Sequence, residues 1–221
     1  MARIEAVFFD VGETLVDETH YWWAWADWLG IARHTFSAVF GAVIAAGKDH
    51  RETFQVLRPG FDLAVERERR AAAGQPEIFA EENLYRDARP CLRELQASGF
   101  RIGLAANQTA QVEQILKALK LPVDVIGTSD GWGVSKPSPG FFDRVIEEAG
   151  VAASSVLYVG DRLDNDIRPA QKAGIATALV RRGPWGHLLR LPEVEDRCQF
   201  RLDGLAELPA RVATHNAEQG K

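Results

Sequence analysis

Cysteine is scarce in this 221-residue chain: Cys91 and Cys198 are its two, and neither sits in a CxxC or Cys/His spacing. That excludes the thiolate-metal and redox motifs such spacings make. Basic charge is also short. Lysine and arginine total 26 against 31 aspartate and glutamate, a formal charge of −5 that argues against a nucleic-acid surface and leaves a small molecule as the expected substrate. The N-terminus lacks the basic, apolar, then small-residue order of a signal peptide, so the cytoplasm is the expected location. Long hydrophobic runs are missing as well. Within residues 21–47, Asp27, Arg33 and His34 leave an uncharged stretch of only Thr35 to Gly47, too short to span a bilayer, and no membrane association is expected. Internal repeats and low-complexity segments are absent too.

What is present is an ordinary globular composition, 46% apolar and 26% charged, long enough for one large domain or a domain with a sizeable insertion. Ile4 to Phe9 is a short apolar run before a Gly-containing turn, which predicts a buried strand. From about 18 to 87 the spacing is helical with no strong strand signal. Trp22, Trp25, Trp28 and Leu29 make one stripe, Phe36, Val39, Phe40 and Val43 another, and Arg58-Pro59-Gly60 breaks the pattern. The charged run VERERRAAA at 65–73 reads as the solvated end of a helix that Gly74 stops. Tyr21, Trp22, Trp23, Trp25 and Trp28 read as core packing of this helical insertion, with a substrate-lining wall as the alternative. His20, His34, Arg33 and Arg58 read as solvated, with substrate contact as the alternative.

From Arg89 onward strands and helices alternate: helix 90–98, strand 101–106, helix 109–119, strand 123–126, helix 139–149, strand 155–159, helix 165–174, strand 175–180. This order predicts a parallel sheet covered on both faces, with sites at the carboxyl ends of its strands. The segment RRGPWGH at 181–187 is expected to pack near that edge as a loop, and the polar tail at 214–221 to fray.

The residues just beyond the strands carry the chemistry. Asp10 follows the first strand; Ala106, Asn107 and Gln108 end the second; Gly160 and Asp161 follow the strand at 155–159, with Asp164 and Asp166 close behind. Lys136 lies in the SKPSP loop before helix 139–149. Taken singly, each Asp reads first as a helix cap or turn former. Their conjunction at strand ends is harder to obtain by chance. Carboxylates brought together repel unless a cation offsets them, so Asp10, Asp161 and Asp166 suggest a hard divalent metal, with Mg²⁺ favoured by all-oxygen ligation. A lysine beside them would neutralise both a nucleophile and an incoming phosphate, and an Asp held there could attack phosphorus to form an aspartyl phosphate.

Read in order, FFDVGETLVD, AANQ, SKP and VGDRLDND resemble the four motifs of the haloacid dehalogenase superfamily, over residues 1 to about 185. The resemblance implies an α/β fold: a Rossmann-like three-layer core with a parallel sheet at 1–17 and 88–221, and an α-helical cap inserted at 18–87. It further implies a Mg²⁺-dependent phosphohydrolase working on a small phosphorylated metabolite through an aspartyl phosphate. Asp10 takes the nucleophile position, Lys136 the lysine position and Asp161 the main metal-ligand position, while Asp166 matches the second acid, which supports metal-bound water. The backbone carbonyl of Gly12 takes the place of a further metal ligand, and Asn107 joins Lys136 in binding phosphate.

Two positions depart from the family pattern. Phosphatases of the family carry a second Asp two residues after the nucleophile, as acid for the leaving oxygen and base for the attacking water; here that residue is Gly12. Ala106 stands where a Ser or Thr hydroxyl is usual. General acid–base catalysis contributes about 10²- to 10⁴-fold and one electrostatic donor about 10²- to 10³-fold, so metal and phosphate binding can persist while turnover falls by orders of magnitude. Glu13, Asp17 and His20 are the candidate substitutes for the missing acid. The alternatives are a metal- and phosphate-binding regulatory protein with little turnover, and a dehalogenase. Halide displacement needs no proton donor, which suits Gly12, but the family's dehalogenases generally use no metal, which the acidic stretch 160–166 does not suit.

Overall fold

The structure, a computed structural model, describes residues 2–77 and 79–220. The chain forms two compact units, residues 1–17 with 84–221, and residues 18–83. In chain order, strand β1 (Ala6–Phe9) is followed by helices α1 (Thr19–Leu29), α2 (Arg33–Ala45), α3 (Glu52–Leu57) and α4 (Leu63–Ala72) of the second unit. The first unit then resumes with α5 (Ala88–Ala97), β2 (Arg101–Ala106), α6 (Ala110–Ala118), β3 (Val125–Thr128), α7 (Ser129–Trp132), α8 (Pro139–Ala149) and β4 (Val156–Gly160). After a π-helical turn at Leu163–Ile167 come α9 (Arg168–Lys172), β5 (Ala176–Val180), α10 (Gly183–Leu188), α11 (Pro192–Glu195), β6 (Phe200–Leu202) and α12 (Leu208–Gln219).

All six strands form one sheet in the order β3-β2-β1-β4-β5-β6, and every pairing is parallel. This is the expected α/β, Rossmann-like arrangement. Strand β1 lies at the centre because its side chains are apolar on both faces: Ala6 and Phe8 join a cluster with Phe141, Phe142 and Val145 of α8, while Val7 and Phe9, pointing the other way, are equally buried. Each of these large side chains contributes about 1.5–3 kcal/mol by leaving water. Helix α5 buries Ala88, Cys91, Leu92 and Leu95, the i, i+3, i+4, i+7 spacing of a single face.

The helical unit has its own aromatic core. Trp25 is fully buried against Phe54 and Phe61, with ring centres 5.1 and 5.9 Å away, and Trp22 packs on Phe40 at 4.4 Å. Arg58 is held by the Leu29 carbonyl, and exposed Arg33 pairs with Asp27. Among the described residues no single helix is long and apolar enough to cross a membrane; α1 and α2 would qualify only as a pair, and they meet at 114°.

Three expectations need correction, besides the segment 181–187, which from Gly183 forms α10 and not the expected loop. The division between units falls after Asn83 and not after 87, because Leu84 pairs with Val16 and the Tyr85 N–H donates to the Leu15 carbonyl, stitching this segment to the turn after β1. The tail does not fray at 214. Residues up to Gln219 continue α12, which buries Leu208, Val212 and His215 on one face, and the Asn216 amide both accepts from the Ile4 N–H and donates to the Ile4 carbonyl, each at 2.8 Å. Lys221 lies outside the described residues. The third correction concerns the charged run of α4, where Arg70 is 3% exposed although its neighbours are solvated.

Candidate active site

The strand order reverses direction between β1 and β4, and in open parallel sheets the crevice at such a point, beyond the carboxyl ends, is where ligands bind. Asp10 leaves β1 there, its N–H donating to the Val159 carbonyl of β4 at 2.9 Å, and Asp161 leaves β4 one residue further on. Asp166 arrives from the π-helical turn. The Ile167 N–H reaches back to the Arg162 carbonyl at 3.1 Å, and the wider turn folds the Asp166 carboxylate onto the Arg162 N–H at 3.0 Å. Gly160 is required for this approach, since a Cβ there would stand 2.5 Å from Asp166 Oδ2. Asp10, Asp161 and Asp166 are all buried, and each offers an oxygen within 4.8 Å of the others.

Lys136 enters from the loop before α8 and binds this cluster. Its Nζ donates to Asp10 Oδ1 at 2.5 Å and to Asp166 Oδ1 at 2.6 Å, and it lies between the rings of Phe141 and Tyr158 at 5.9 and 5.6 Å. Burial alone would lower the lysine pKa, but Asp10 and Asp166 outweigh it and hold the ammonium well above its usual range. The carboxylates keep an excess of negative charge nonetheless. Burial, then the charges of Asp166, Asp10 and Glu13, hold Asp161 well above the usual carboxylate range, and burial pushes Asp166 up to about 6. Asp161 Oδ2 is also buried without any hydrogen-bond partner. An orphaned carboxylate oxygen beside two further carboxylates fits a hard divalent cation, which would satisfy the oxygen and reverse the pKa shifts. Of the two later acids Asp161 is the better direct ligand, because both Asp166 oxygens already accept hydrogen bonds.

The other expected site residues divide. Asn107 faces Lys136, but through its backbone: the amide donates to the Lys136 carbonyl at 2.9 Å and accepts from the Lys136 N–H at 2.8 Å. It positions the lysine, with one amide hydrogen left for a ligand. Gly12 sits in the turn after Asp10, where the N–H groups of Thr14, Leu15 and Val16 converge on the Val11 carbonyl and not on that of Gly12. Ala106 is buried at the end of β2 and brings no hydroxyl. Glu13 is buried with φ at 53°, a left-handed conformation that costs a non-glycine residue about 1 kcal/mol, and its Oε2 accepts from the Tyr85 hydroxyl at 2.6 Å. Asp17 lies close enough to add to the field on Tyr85, whose pKa is raised by burial and then by Glu13 and Asp17. His20 is exposed on α1 of the helical unit, edge-on to Trp23, and is not among the residues that the first unit gathers.

Tyr85, Asp87 and Arg182 form a support that sequence reasoning did not assign. Arg182 is nearly buried; it donates to the Thr14 carbonyl at 2.9 Å, pairs with Asp87 and lies 4.2 Å over the Tyr85 ring. The turn after Asp10 is thereby anchored to the end of β5. The one available signal was the doubled arginine of RRGPWGH, but nothing in a linear reading shows which of two adjacent arginines turns inward.

Fold and site together define an α/β enzyme with a carboxylate–lysine centre at the switch point of its sheet. Residues 4–174 match the family model of haloacid dehalogenase-like hydrolases, and the chain belongs to that family. It is 30% identical over 213 residues to a glyceraldehyde 3-phosphate phosphatase of Methanopyrus kandleri, covering 82% of this chain and 86% of that one. A phosphoglycolate phosphatase of Vibrio parahaemolyticus is 36% identical over 135 residues, covering 59% and 57%. Among solved structures, a HAD-hydrolase of Bacillus subtilis bound to magnesium superposes with a TM-score of 0.71 at 20% identity over 96% of this chain and 99% of that one. An L-2-haloacid dehalogenase of Xanthobacter autotrophicus gives 0.63 at 20% over 95% and 98%. At such identities the structural likeness is one of fold.

Proposed function

We propose that the chain is a Mg²⁺-dependent phosphatase that hydrolyses small phosphate monoesters through an aspartyl phosphate on Asp10. The observation that carries this reading is the unpartnered Asp161 Oδ2 beside Asp10 and the Lys136 ammonium. The names of its relatives favour phosphorylated metabolites of a few carbons. Asp10, Asp161 and the Gly12 carbonyl would hold the metal, with Asp166 acting through water; when bound, the cation neutralises charge on the phosphoryl oxygens.

Lys136 holds Asp10 Oδ1, which leaves Oδ2 to attack phosphorus. The P–O bond to the leaving group breaks as the Asp10 O–P bond forms, and the ammonium offsets the charge shared between carboxylate and phosphoryl group. The leaving oxygen must then take a proton, and Gly12 has none to give. Glu13 is the nearest acid in sequence, but its carboxylate is engaged by Tyr85. Leaving groups that depart as stable anions are therefore preferred. Water completes the cycle by attacking the aspartyl phosphate and releasing inorganic phosphate and Asp10.

The test is a panel of aryl phosphates, glyceraldehyde 3-phosphate and phosphoglycolate assayed with Mg²⁺, comparing wild type with Asp10→Asn. Aryl esters should turn over fastest and the variant should fall to background; equal rates in both proteins would refute the assignment. Gly12 and Ala106 together favour a second reading, a phosphate- and metal-binding protein with negligible turnover. Tight binding of a phosphate analogue with no hydrolysis would support it, and a rate that stays negligible after Gly12→Asp with Ala106→Thr would show that these two positions are not its cause. Halide release from a 2-haloacid in EDTA would instead indicate dehalogenation.

A further inference from the structure

Helix α4 carries a charged run that its sequence assigns to solvent, yet Arg70 is buried within it. The Arg70 guanidinium lies 4.3 Å from the centre of the Trp25 ring, and neither Nε nor Nη1 has a hydrogen-bond partner. Neighbouring carboxylates are already committed. Glu77 accepts from the Tyr21 hydroxyl at 2.7 Å, from Trp25 Nε1 at 2.9 Å and from Arg67 Nε at 3.0 Å. Glu66 accepts from Trp28 Nε1 at 2.8 Å and from Arg69 at 2.6 Å. Arg67, Arg70 and Glu77 thus contribute one more cation than carboxylates, and the surplus cation is the buried one.

Burial lowers the Arg70 pKa from its ordinary value, but a guanidinium keeps its proton at neutral pH, so neutralisation does not relieve it. Its unpartnered donors Nε and Nη1 lie on different edges of the planar fork, and at either edge an oxyanion that reaches it can accept a charge-assisted hydrogen bond. The Trp25 face beneath holds the plane of the fork. We infer that Arg70, backed by Trp25 and flanked by Arg67, is an anion-recognition site of the helical unit, taking the carboxylate or phosphate group of a small ligand. It rests only on residues of that unit and stands independently of the phosphatase reading.

The test is a side-chain NMR titration of the full-length, uniformly ¹³C,¹⁵N-labelled protein in Mg²⁺-free buffer, with inorganic phosphate in one arm and malonate in the other. The Arg70 Nε–H resonance, assigned by its loss in Arg70→Lys, should shift saturably and exchange more slowly with water in at least one arm, and the responding arm identifies the group recognised. The Trp25 indole resonance should report the same affinity in wild type and about tenfold weaker binding in Arg70→Lys, the effect of losing one charge-assisted bond. An Arg70 resonance that neither anion moves, or that drifts without saturation in step with exposed Arg69, overturns the proposal. Should Arg70→Lys fail to fold, the wild-type titration decides alone, with the resonance assigned through its backbone.

Discussion

Replacing Lys136 with Met removes the ammonium of the site while keeping much of the side-chain volume. The lysine side chain is 2% exposed and bridges Asp10 and Asp166, themselves 12% and 0% exposed, so the variant leaves two buried carboxylates next to Asp161 with no internal cation. Breaking a buried pair in this way costs about 3–5 kcal/mol, and in a chain of about this size each kcal/mol moves Tm by about 2–4 °C. A fall in Tm of about 6–20 °C is expected at pH 7 in metal-free buffer. The pH dependence tests the cause. In wild type the lysine pKa is raised, so its stabilisation is complete below the unfolded value of about 10.4 and is lost only as pH rises through the folded one. In the variant Asp166 loses the lysine that lowers it, Asp161 and Asp166 have folded pKa values above the unfolded value of about 3.9, the folded state binds more protons than the unfolded, and stability falls as pH climbs from about 4 to 7. The deficit relative to wild type should therefore shrink at about pH 5. Calorimetry in EDTA at the two pH values measures both effects. A loss under about 2 °C at neutral pH, or the same loss at both, would refute the argument.

Mg²⁺ affinity should fall as pH is lowered through about 6, since Asp166 is pushed up to about 6 and Asp161 is also raised, so that protons compete for the ligand oxygens; calorimetric titration showing a pH-independent affinity between about 5.5 and 7.5 would count against the site. Tyr85→Phe should destabilise by about 1 kcal/mol in wild type and by much less in a Glu13→Gly background, where its hydroxyl has already lost its acceptor; additive losses in the double-mutant cycle would dismiss the pair. Asn216→Ala should cost about 1–3 kcal/mol in denaturant unfolding, because it strips both hydrogen bonds from the Ile4 backbone, and a neutral outcome would mean that water replaces the amide.

Much of the architecture is legible along the chain because its signals are local. Apolar runs buried on both faces of a parallel sheet, Thr109 capping α6, and Pro139 opening α8 before Gly150 closes it each need only neighbouring residues. The order Asp10, Lys136, Asp161, Asp166 is likewise written in the sequence, since Asp10 and Asp161 stand directly after strands, Lys136 in a short loop and Asp166 in the helical turn that follows Asp161. The weaker readings fall where partners are distant. Strand β6 has three residues and α12 ends in polar ones, so neither announces itself without β5, α5 and Ile4 to pack against.

Residue types and spacing determined the fold class, the carboxylates and the absence of an acid at Gly12. Tertiary structure alone decided which polar atoms remain unspent. It turned Asn107 toward the Lys136 backbone, fastened Glu13 to Tyr85, left Asp161 Oδ2 without a donor and enclosed Arg70 on a helix whose Arg67, Glu68 and Arg69 face water. The reason is physical: a hydrogen bond is settled by distance and burial between residues far apart in the chain, and neither quantity is a property of a residue or its neighbours.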